Sequence, residues 1–277
     1  MGRRWLVTGC SSGLGRALAV AVAEAGDSVL ATARKPAALD ELARRYPGRV
    51  TTAALDVCDP RQCAAAVAYA VDRLGGIDVL VNNAGAGLFG AVEEVSDHEV
   101  REQLETLVVG PWRLARLVLP LMRAQRSGHI VNVSSVVGRL ALPGLAAYVT
   151  GKYALEGLSQ ALAAEVGGFG IRVTVLEPGM FDTGYARALT ETATRIGAYE
   201  AVGGPVRTGI RDMAKQPGIG SPEDFAALVL RVVATPTAPS RIPIGPDAYT
   251  YLEAADATAR REFAAAKDFA HPAEPRP

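Results

Sequence analysis

Apolar and polar positions follow two alternating patterns along this chain of 277 residues. Short runs in which nearly every position is apolar are typical of strands buried on both faces, and between them apolar residues recur with helical spacing. The strand-like runs are 5–8, 28–33, 49–55, 77–82, 129–133 and 171–177. This alternation predicts an α/β fold of the Rossmann type, a doubly wound parallel sheet of about seven strands with helices on both faces.

The rest of the pattern predicts a single domain over residues 1–270. A long helical stretch at 96–125 starts with a capping-box sequence at Ser96, and Pro111 and Pro120 are expected to kink or divide it. The Gly-rich segment at about 182–219 is expected to be irregular, either a substrate flap or a surface excursion. Further elements are predicted in the last third, with a tail expected to be disordered: helix 222–234, edge strand 241–244, helix 248–269 and tail 271–277.

Composition and charge argue against several functional classes. Lys plus Arg and Asp plus Glu both number 29, so a nucleic-acid partner is not expected. The three cysteines have no metal-ligand spacing and are interpreted as small buried residues, so no metal site is predicted. A strand pattern begins by Trp5, and no apolar run approaches the length of a membrane span. We expect a cytoplasmic protein without a signal peptide or a membrane partner.

A Gly-rich loop joins the first strand to the first helix. Thr8 to Gly15, TGCSSGLG, lies between the run 5–8 and a helical pattern from about 16 to 25. Gly9, Gly13 and Gly15 let the backbone turn tightly and approach a pyrophosphate, whose charge the helix N-terminus stabilises. A plain Gly-rich turn is the alternative, but the order of strand, turn and helix favours dinucleotide binding.

Polar residues also follow the next three strands. Arg34 stands where an acid often binds the ribose 2′-hydroxyl, and its planar fork suits a 2′-phosphate unless it is merely solvated. This favours NADP(H) over NAD(H). Asp56 either accepts a hydrogen bond from adenine or caps the helix that begins near Pro60. Asn82 to Gly85, NNAG, are small and polar enough to lie against ribose and hold neighbouring strand ends together.

Ser135, Tyr148 and Lys152 form the candidate catalytic group. Tyr148 and Lys152 are four residues apart in a helical pattern, so the phenol and the ammonium share one face. The nearby ammonium favours the phenolate, and we expect it to lower the pKa of Tyr148 from about 10. Tyr148 then acts as a general acid or base, while Ser135 donates a hydrogen bond to the same substrate oxygen. A half-buried Tyr and a solvated Lys are the structural alternative.

These motifs, together with Pro178-Gly179, resemble those of the short-chain dehydrogenase/reductase family from residue 5 to about 183. The sequences TGCSSG and ATAR look closest to NADP(H)-using members, which include hydroxysteroid and retinol dehydrogenases and bacterial ketoreductases. The resemblance implies that Tyr148 protonates a carbonyl oxygen held by Ser135, and that Lys152 binds the nicotinamide ribose. It implies dimers or tetramers formed through the helices at 96–126 and 146–167.

The resemblance also implies a set of cofactor-binding residues. The phosphates would contact Gly9, Ser11, Ser12, Gly13, Leu14 and Gly15, and the 2′-phosphate would contact Arg34. Asp56 and Val57 would bind adenine, and Asn83, Ala84 and Gly85 the adenosine side. Around the nicotinamide would lie Pro178, Gly179, Phe181 and Thr183, besides Tyr148 and Lys152.

Leu107 departs from the family pattern. It stands in Thr-Leu-Val-Val-Gly at 106–110, where the family usually has an Asn thought to hold a water that links the catalytic Lys to solvent. Leu cannot supply those side-chain hydrogen bonds, although a backbone carbonyl could still hold the water. We therefore hypothesise a slower or rerouted proton relay.

Three functions fit the sequence. The leading hypothesis is an NADPH-dependent ketone reductase, reversible to an alcohol dehydrogenase. Its small-molecule substrate is expected to be a medium to bulky apolar ketone, if the cleft is lined by Leu140, Leu142, Leu145, Met180 and Tyr185. The alternatives are a dehydratase or epimerase that uses the same Tyr and Lys, and a non-catalytic NADP(H)-binding sensor.

Overall fold

The computed structural model describes residues 2–213 and 218–270, with residue 187 described by its backbone alone. Nine strands lie in this part of the chain. They are β1 Arg4–Val7, β2 Ser28–Ala33, β3 Val50–Ala54, β4 Val79–Asn82, β5 Leu88–Phe89, β6 Gly128–Val133, β7 Ile171–Pro178, β8 Thr190–Glu191 and β9 Arg241–Ile244. Seven of them form one sheet in the order β3-β2-β1-β4-β6-β7-β9, and β5 pairs with β8. Every pairing is parallel.

Ten α-helices connect the strands in the described part of the chain. They are α1 Gly13–Glu24, α2 Asp40–Arg45, α3 Pro60–Leu74, α4 Asp97–Leu104, α5 Gly110–Gln125, α6 Ala146–Val166, α7 Tyr185–Ala188, α8 Glu200–Arg211, α9 Pro222–Ala234 and α10 Pro246–Ala270. A π-helical turn, Glu105–Val109, joins α4 to α5, and short 3-10 turns lie at Pro36–Leu39, Val136–Gly138, Gly167–Phe169 and Gly197–Tyr199.

Two apolar cores hold the helices against the sheet. Trp5 belongs to the core with α1, α2 and α9, and its neighbour Leu6 belongs to the core with α3, α5 and α6. Successive side chains of a strand point to opposite faces, which explains why the runs are apolar at every position rather than at alternate ones. The doubly wound parallel sheet of seven strands predicted from the pattern is therefore confirmed.

The strand order reverses between β1 and β4, which carry the loops from Thr8 and from Asn83. In an open α/β sheet, ligands bind beyond the carboxyl ends of the strands at such a switch point. The strand order alone therefore places the loops after β1, β4, β6 and β7 along one crevice.

The long helical stretch differs from its prediction in one place. The capping box is confirmed, since the Ser96 hydroxyl accepts from the Glu99 amide and the Glu99 carboxylate accepts from the Ser96 amide. The helix divides at the π-helical turn before Pro111, which stands in the first turn of α5 where its missing N–H costs nothing. Pro120 lies inside α5 and does not divide it.

The segment predicted to be irregular contains regular structure. Between 182 and 213 the chain forms α7, β8, a 3-10 turn and α8, and β8 pairs with β5. Ion pairs link the segment internally: Arg207 with Glu191 and Glu200, and Arg211 with Glu191. Periodicity missed these elements because each is short. Residues 214–217 and the predicted tail at 271–277 lie outside the described residues.

Candidate active site

The loop after β1 forms a concave backbone surface that fits a dinucleotide pyrophosphate. Gly9 and Gly13 have φ values of 72° and 55°, in the left-handed region that favours glycine. A Cβ on Gly15 would collide with the Gly9 carbonyl oxygen and would lie 2.5 Å from Nδ2 of Asn83. The first turn of α1 contains no acid, and the Ser12 side chain makes no capping hydrogen bond. The helix N-terminus therefore leaves amide groups for an anion.

Asn83 and Thr8 fasten the end of β4 to this loop. Nδ2 of Asn83 donates to the carbonyl oxygens of Thr8 and Gly9 at 2.9 and 3.2 Å. Oγ1 of Thr8 accepts from the amides of Asn83 and Ala84 at 3.0 and 2.9 Å. The prediction that the Asn-rich turn holds neighbouring strand ends together is confirmed. This role of Thr8 is not among the predictions from the sequence, although a hydroxyl residue at the end of a strand is a sign of such a contact.

The candidate adenosine residues differ in how they are placed. Arg34 is exposed at the carboxyl end of β2. The interpretation of Asp56 as a helix cap is wrong, because Asp59 accepts from the first-turn amides of α3, whereas Asp56 accepts from the Cys58 amide. The Asp56 carboxylate therefore remains a candidate for adenine. The Val57 side chain is buried, 2.9 Å from where a Cβ on Gly110 would stand, and its carbonyl oxygen accepts from Arg113 at 2.7 Å, so neither is available to a ligand.

Three hydroxyl groups converge at the carboxyl ends of β6 and β7. Ser135 caps the 3-10 turn after β6, where its Oγ accepts from the Val137 amide. The same Oγ lies 3.5 Å from the Pro178 carbonyl oxygen. The hydroxyls of Ser135 and Tyr185 lie near enough to the phenol of Tyr148 to lower its pKa. The rings of Tyr148 and Tyr185 lie 5.9 Å apart between centroids. The structure thus brings together the predicted Ser and Tyr and adds a second phenol at the same point.

The expectation that Lys152 lowers the pKa of Tyr148 is wrong for this arrangement. Burial raises the pKa of Tyr148 to about 12, and the nearby hydroxyls of Tyr185 and Ser135 only partly oppose the rise. Lys152 Nζ stands 5.6 Å from the centroid of the Tyr148 ring and donates to the Val133 carbonyl oxygen at 2.7 Å. Burial lowers the pKa of Lys152 to about 8. Burial therefore shifts both groups toward their neutral forms, but Lys152, with a pKa of about 8, still carries most of its charge at neutral pH.

Leu107 occupies the wall between Lys152 and the loop after β4. It is 1% exposed and packs in a cluster with Val137 and Tyr148. A Cβ on Gly85 would lie 2.9 Å from Cδ2 of Leu107 and 4.0 Å from Nζ of Lys152. The methyl groups of Leu107 therefore border the space beside the ammonium, and they offer it no hydrogen bond.

The segment after β7 lies near both parts of the site. A Cβ on Gly13 would lie 3.3 Å from Cβ of Thr183, so this predicted nicotinamide residue stands over the predicted phosphate loop. The Asp247 carboxylate accepts from the Met180 amide at 2.8 Å. The Phe181 side chain is buried in the core, edge-on to Phe225, so it is not available to a ligand in the crevice.

The predicted substrate residues fall mainly in two adjoining clusters. Leu140 packs in the cluster around Tyr148, Leu145 is buried in a neighbouring cluster with Phe89, and Tyr185 belongs to both. Leu142 is 37% exposed, so in this structure it does not line an enclosed cleft.

The described ranges contain no group of three or more His, Cys, Asp or Glu side chains that could hold a metal ion. Within the same ranges, no helix combines the length and apolar character needed to cross a bilayer.

Comparison with known proteins agrees with this geometry. The family model described as short chain dehydrogenase matches residues 3–194. The chain belongs to this family. It is 40% identical to "Oxidoreductase BOA17" of Botryotinia fuckeliana over 91% of this chain and 92% of that one. It is 34% identical to a 3-ketodihydrosphingosine reductase of Bacteroides thetaiotaomicron, over 87% of each.

A solved structure shares the fold of almost the whole chain. A short-chain dehydrogenase from Streptomyces avermitilis superposes with a TM-score of 0.90 at 39% identity, covering 99% of this chain and 98% of that one. The protein is therefore an oxidoreductase of the short-chain dehydrogenase family with a Rossmann-type fold.

Proposed function

We propose that the protein is an NADPH-dependent reductase of medium to bulky apolar ketones, able to run in reverse as an alcohol dehydrogenase. The observation that carries the proposal is the proximity of the Ser135 and Tyr148 hydroxyls beside Lys152, in the same crevice as the Gly-rich loop after β1. The two hydroxyls suit a carbonyl oxygen, and the Gly-rich loop suits a dinucleotide.

The site residues divide the proton chemistry among themselves. Because the pKa of Tyr148 is raised to about 12, its phenol keeps its proton at neutral pH and can give it to the carbonyl oxygen. Ser135 donates a hydrogen bond to the same oxygen, where negative charge develops. Lys152 presents a positive charge beside Tyr148 and a donor to the nicotinamide ribose. When bound, the cofactor supplies the hydride that reduces the carbonyl carbon.

Preference for NADPH is supported by the position of Arg34. Its exposed guanidinium stands at the carboxyl end of β2, beside the loop that fits the pyrophosphate. A guanidinium binds a phosphate through two parallel hydrogen bonds and has no comparable partner on a 2′-hydroxyl.

An apolar ketone is supported by the surroundings of Tyr148. Leu140, Val136 and Val149 pack around it together with Tyr185. A relative named for the reduction of 3-ketodihydrosphingosine fits the same substrate class. The proposal includes a homodimer or homotetramer, which the exposure of Val109 and Trp112 on the π-helical turn and α5 supports.

The test is oxidation of NADPH with a panel of ketones from small aliphatic to polycyclic, with NADH in parallel. We expect turnover of the larger apolar ketones, faster with NADPH. Tyr148→Phe should abolish turnover while NADPH still binds. Tyr153→Phe, which changes an exposed tyrosine of the same helix, is the matched control. Binding of NADPH without reduction of any ketone, or full activity of Tyr148→Phe, would refute the proposal and favour a dehydratase, an epimerase or a sensor.

A further inference from the structure

A second group of charged side chains involves the helix that carries Lys152. It contains Glu156, one helical turn after Lys152 on α6, and Glu177 at the end of β7. Arg139, Arg241 and Asp256 complete the group, which we call the carboxylate cluster. The proton chemistry described above uses none of these five residues.

The two glutamates share one arginine. Nε of Arg241 lies 3.2 Å from Oε2 of Glu156 and 3.3 Å from Oε1 of Glu177. Nη1 of Arg139 lies 3.4 Å from Oε2 of Glu177, and its Nη2 bonds Asp256 at the protein surface. The glutamate side chains are 5% and 0% exposed, so these charges are held away from water. Such groups keep their charge only through their partners.

Burial makes the ionisation of the two carboxyl groups interdependent. It raises the pKa of Glu156, with the Ser134 hydroxyl and Arg241 opposing the rise. It raises the pKa of Glu177 to about 7, and the negative charge of Glu156 adds to this increase, while Arg139 and Arg241 oppose it. Two like charges around one guanidinium titrate as a coupled pair, so the charge on Glu156 depends on Glu177.

Glu156 is connected to the ammonium of Lys152 in two ways. Side chains four residues apart on a helix are neighbours, and both of these are buried. Lys152 Nζ donates to the carbonyl oxygen of Val133, and the next residue, Ser134, has its Oγ beside the Glu156 carboxylate, where a Cβ on Gly138 would contact both groups. Burial lowers the pKa of Lys152, and the negative charge of Glu156 raises it.

We propose that Glu156 is a positioning residue for ketone reduction, whose negative charge, adjusted by Glu177 and Arg241, keeps the buried Lys152 ammonium protonated at the pH where the enzyme works. This inference rests on the proposed function. Without Glu156, the buried Lys152 would lose the negative charge that raises its pKa, and a buried cation without such a charge releases its proton more readily. Lys152 would then stop supplying a positive charge beside Tyr148.

The test removes each charge while keeping the shape of the side chain. Glu156→Gln should move the titration of Lys152 to lower pH by about one unit, the size expected for a nearby opposite charge. Glu177→Gln should leave that titration in place or move it upward, because Glu156 then holds its charge alone. Glu165→Gln, an exposed glutamate of the same helix, is the control for charge loss and should have no effect.

Two readouts keep this inference separate from the proposed function. The first is the NMR titration of isotopically labelled lysine in the full chain without cofactor or substrate, with the Lys152 resonance identified by its loss in Lys152→Arg. The sequence has only four lysines, which makes this assignment practical. The second is the alkaline limb of the pH profile for ketone reduction, which should move with the Lys152 titration.

The outcomes are distinct. A downward shift in Glu156→Gln but not in Glu177→Gln supports the inference even if no ketone is ever reduced. An unchanged Lys152 titration in Glu156→Gln, or equal downward shifts in both variants, overturns it. If Glu156→Gln does not fold, Arg241→Gln replaces it, since the Arg241 side chain is partly exposed. Loss of this cation favours protonation of Glu156, which removes its negative charge, so the Lys152 titration should again move to lower pH.

Discussion

Replacing Leu107 with Asn tests whether this side chain limits turnover. The methyl groups of Leu107 and the ammonium of Lys152 border the same space beside Gly85. Asn offers two donors and an acceptor there and can hold a water that delivers protons to Lys152, whereas Leu offers neither. We expect Leu107→Asn to raise the turnover number for ketone reduction.

The magnitude follows from one added hydrogen bond. Such a bond contributes a net stabilisation of about 0.5–1.5 kcal/mol, and each 1.36 kcal/mol of barrier is about tenfold in rate, so turnover should rise roughly two- to twelvefold. Stability should fall, because Leu107 is 1% exposed. Loss of the buried Leu costs about 1.5–3 kcal/mol, and an amide that finds no partner costs about 1–3 kcal/mol more.

The assay compares Leu107→Asn with Leu107→Ala. The Ala variant loses the same packing, at a cost of about 2–5 kcal/mol, and supplies no amide. Single-turnover rates across pH report proton delivery, and urea unfolding reports stability. The reasoning is refuted if the Asn variant is no faster than the native enzyme at any pH, or if the Ala variant gains as much.

The remaining predictions concern the cofactor loop, the specificity and the pH profile. Gly15→Ala should abolish NADPH binding, measured by calorimetry, because its Cβ would collide with the loop backbone. Gly157→Ala has open space around its Cβ, so it should instead raise the free energy of unfolding by about 0.5–1 kcal/mol. Arg34→Ala should weaken NADPH binding roughly 10- to 100-fold and leave NADH binding unchanged, as expected for one charge-assisted contact; equal losses for both cofactors would contradict its assigned role. The kcat for ketone reduction should fall as pH rises through about 8, because Lys152 loses its positive charge there while Tyr148, with a pKa of about 12, stays protonated. A kcat that does not change between about pH 7 and pH 10 would contradict this.

Much of the fold could be predicted because its causes are local in sequence. The edge strand β9 follows from a short apolar run, and the cap of α4 from Ser96 and Glu99, whose side chain and backbone groups satisfy each other. The elements that were missed, such as β8, consist of two residues whose pairing depends on β5, about a hundred positions earlier in the chain. No local pattern records a contact of that kind.

The candidate site could be predicted only as far as its residue types. Helical spacing correctly predicts Tyr148 and Lys152 on the same helix, and the same spacing continues to Glu156, four residues further on. Glu177 and Arg241 could not have been added in this way, because strand neighbours bring them to Glu156 from distant parts of the sequence. Tyr185 is expected only as a wall of the cleft, whereas its ring lies 5.9 Å from that of Tyr148 and its hydroxyl lowers the pKa of the catalytic phenol.

The relative acidity of Lys152 and Tyr148 is the property that spacing alone predicted wrongly, and it decides how the site can work. Two neighbouring groups with their ordinary pKa values would be almost equally acidic. Burial instead raises the pKa of Tyr148 to about 12 and lowers that of Lys152 to about 8, so Lys152 is the stronger acid. Once Tyr148 has given its proton to a substrate oxygen, transfer from Lys152 to the phenolate is downhill. The slower task is then to return a proton to Lys152, and Leu107 and Glu156 are the residues placed to govern it.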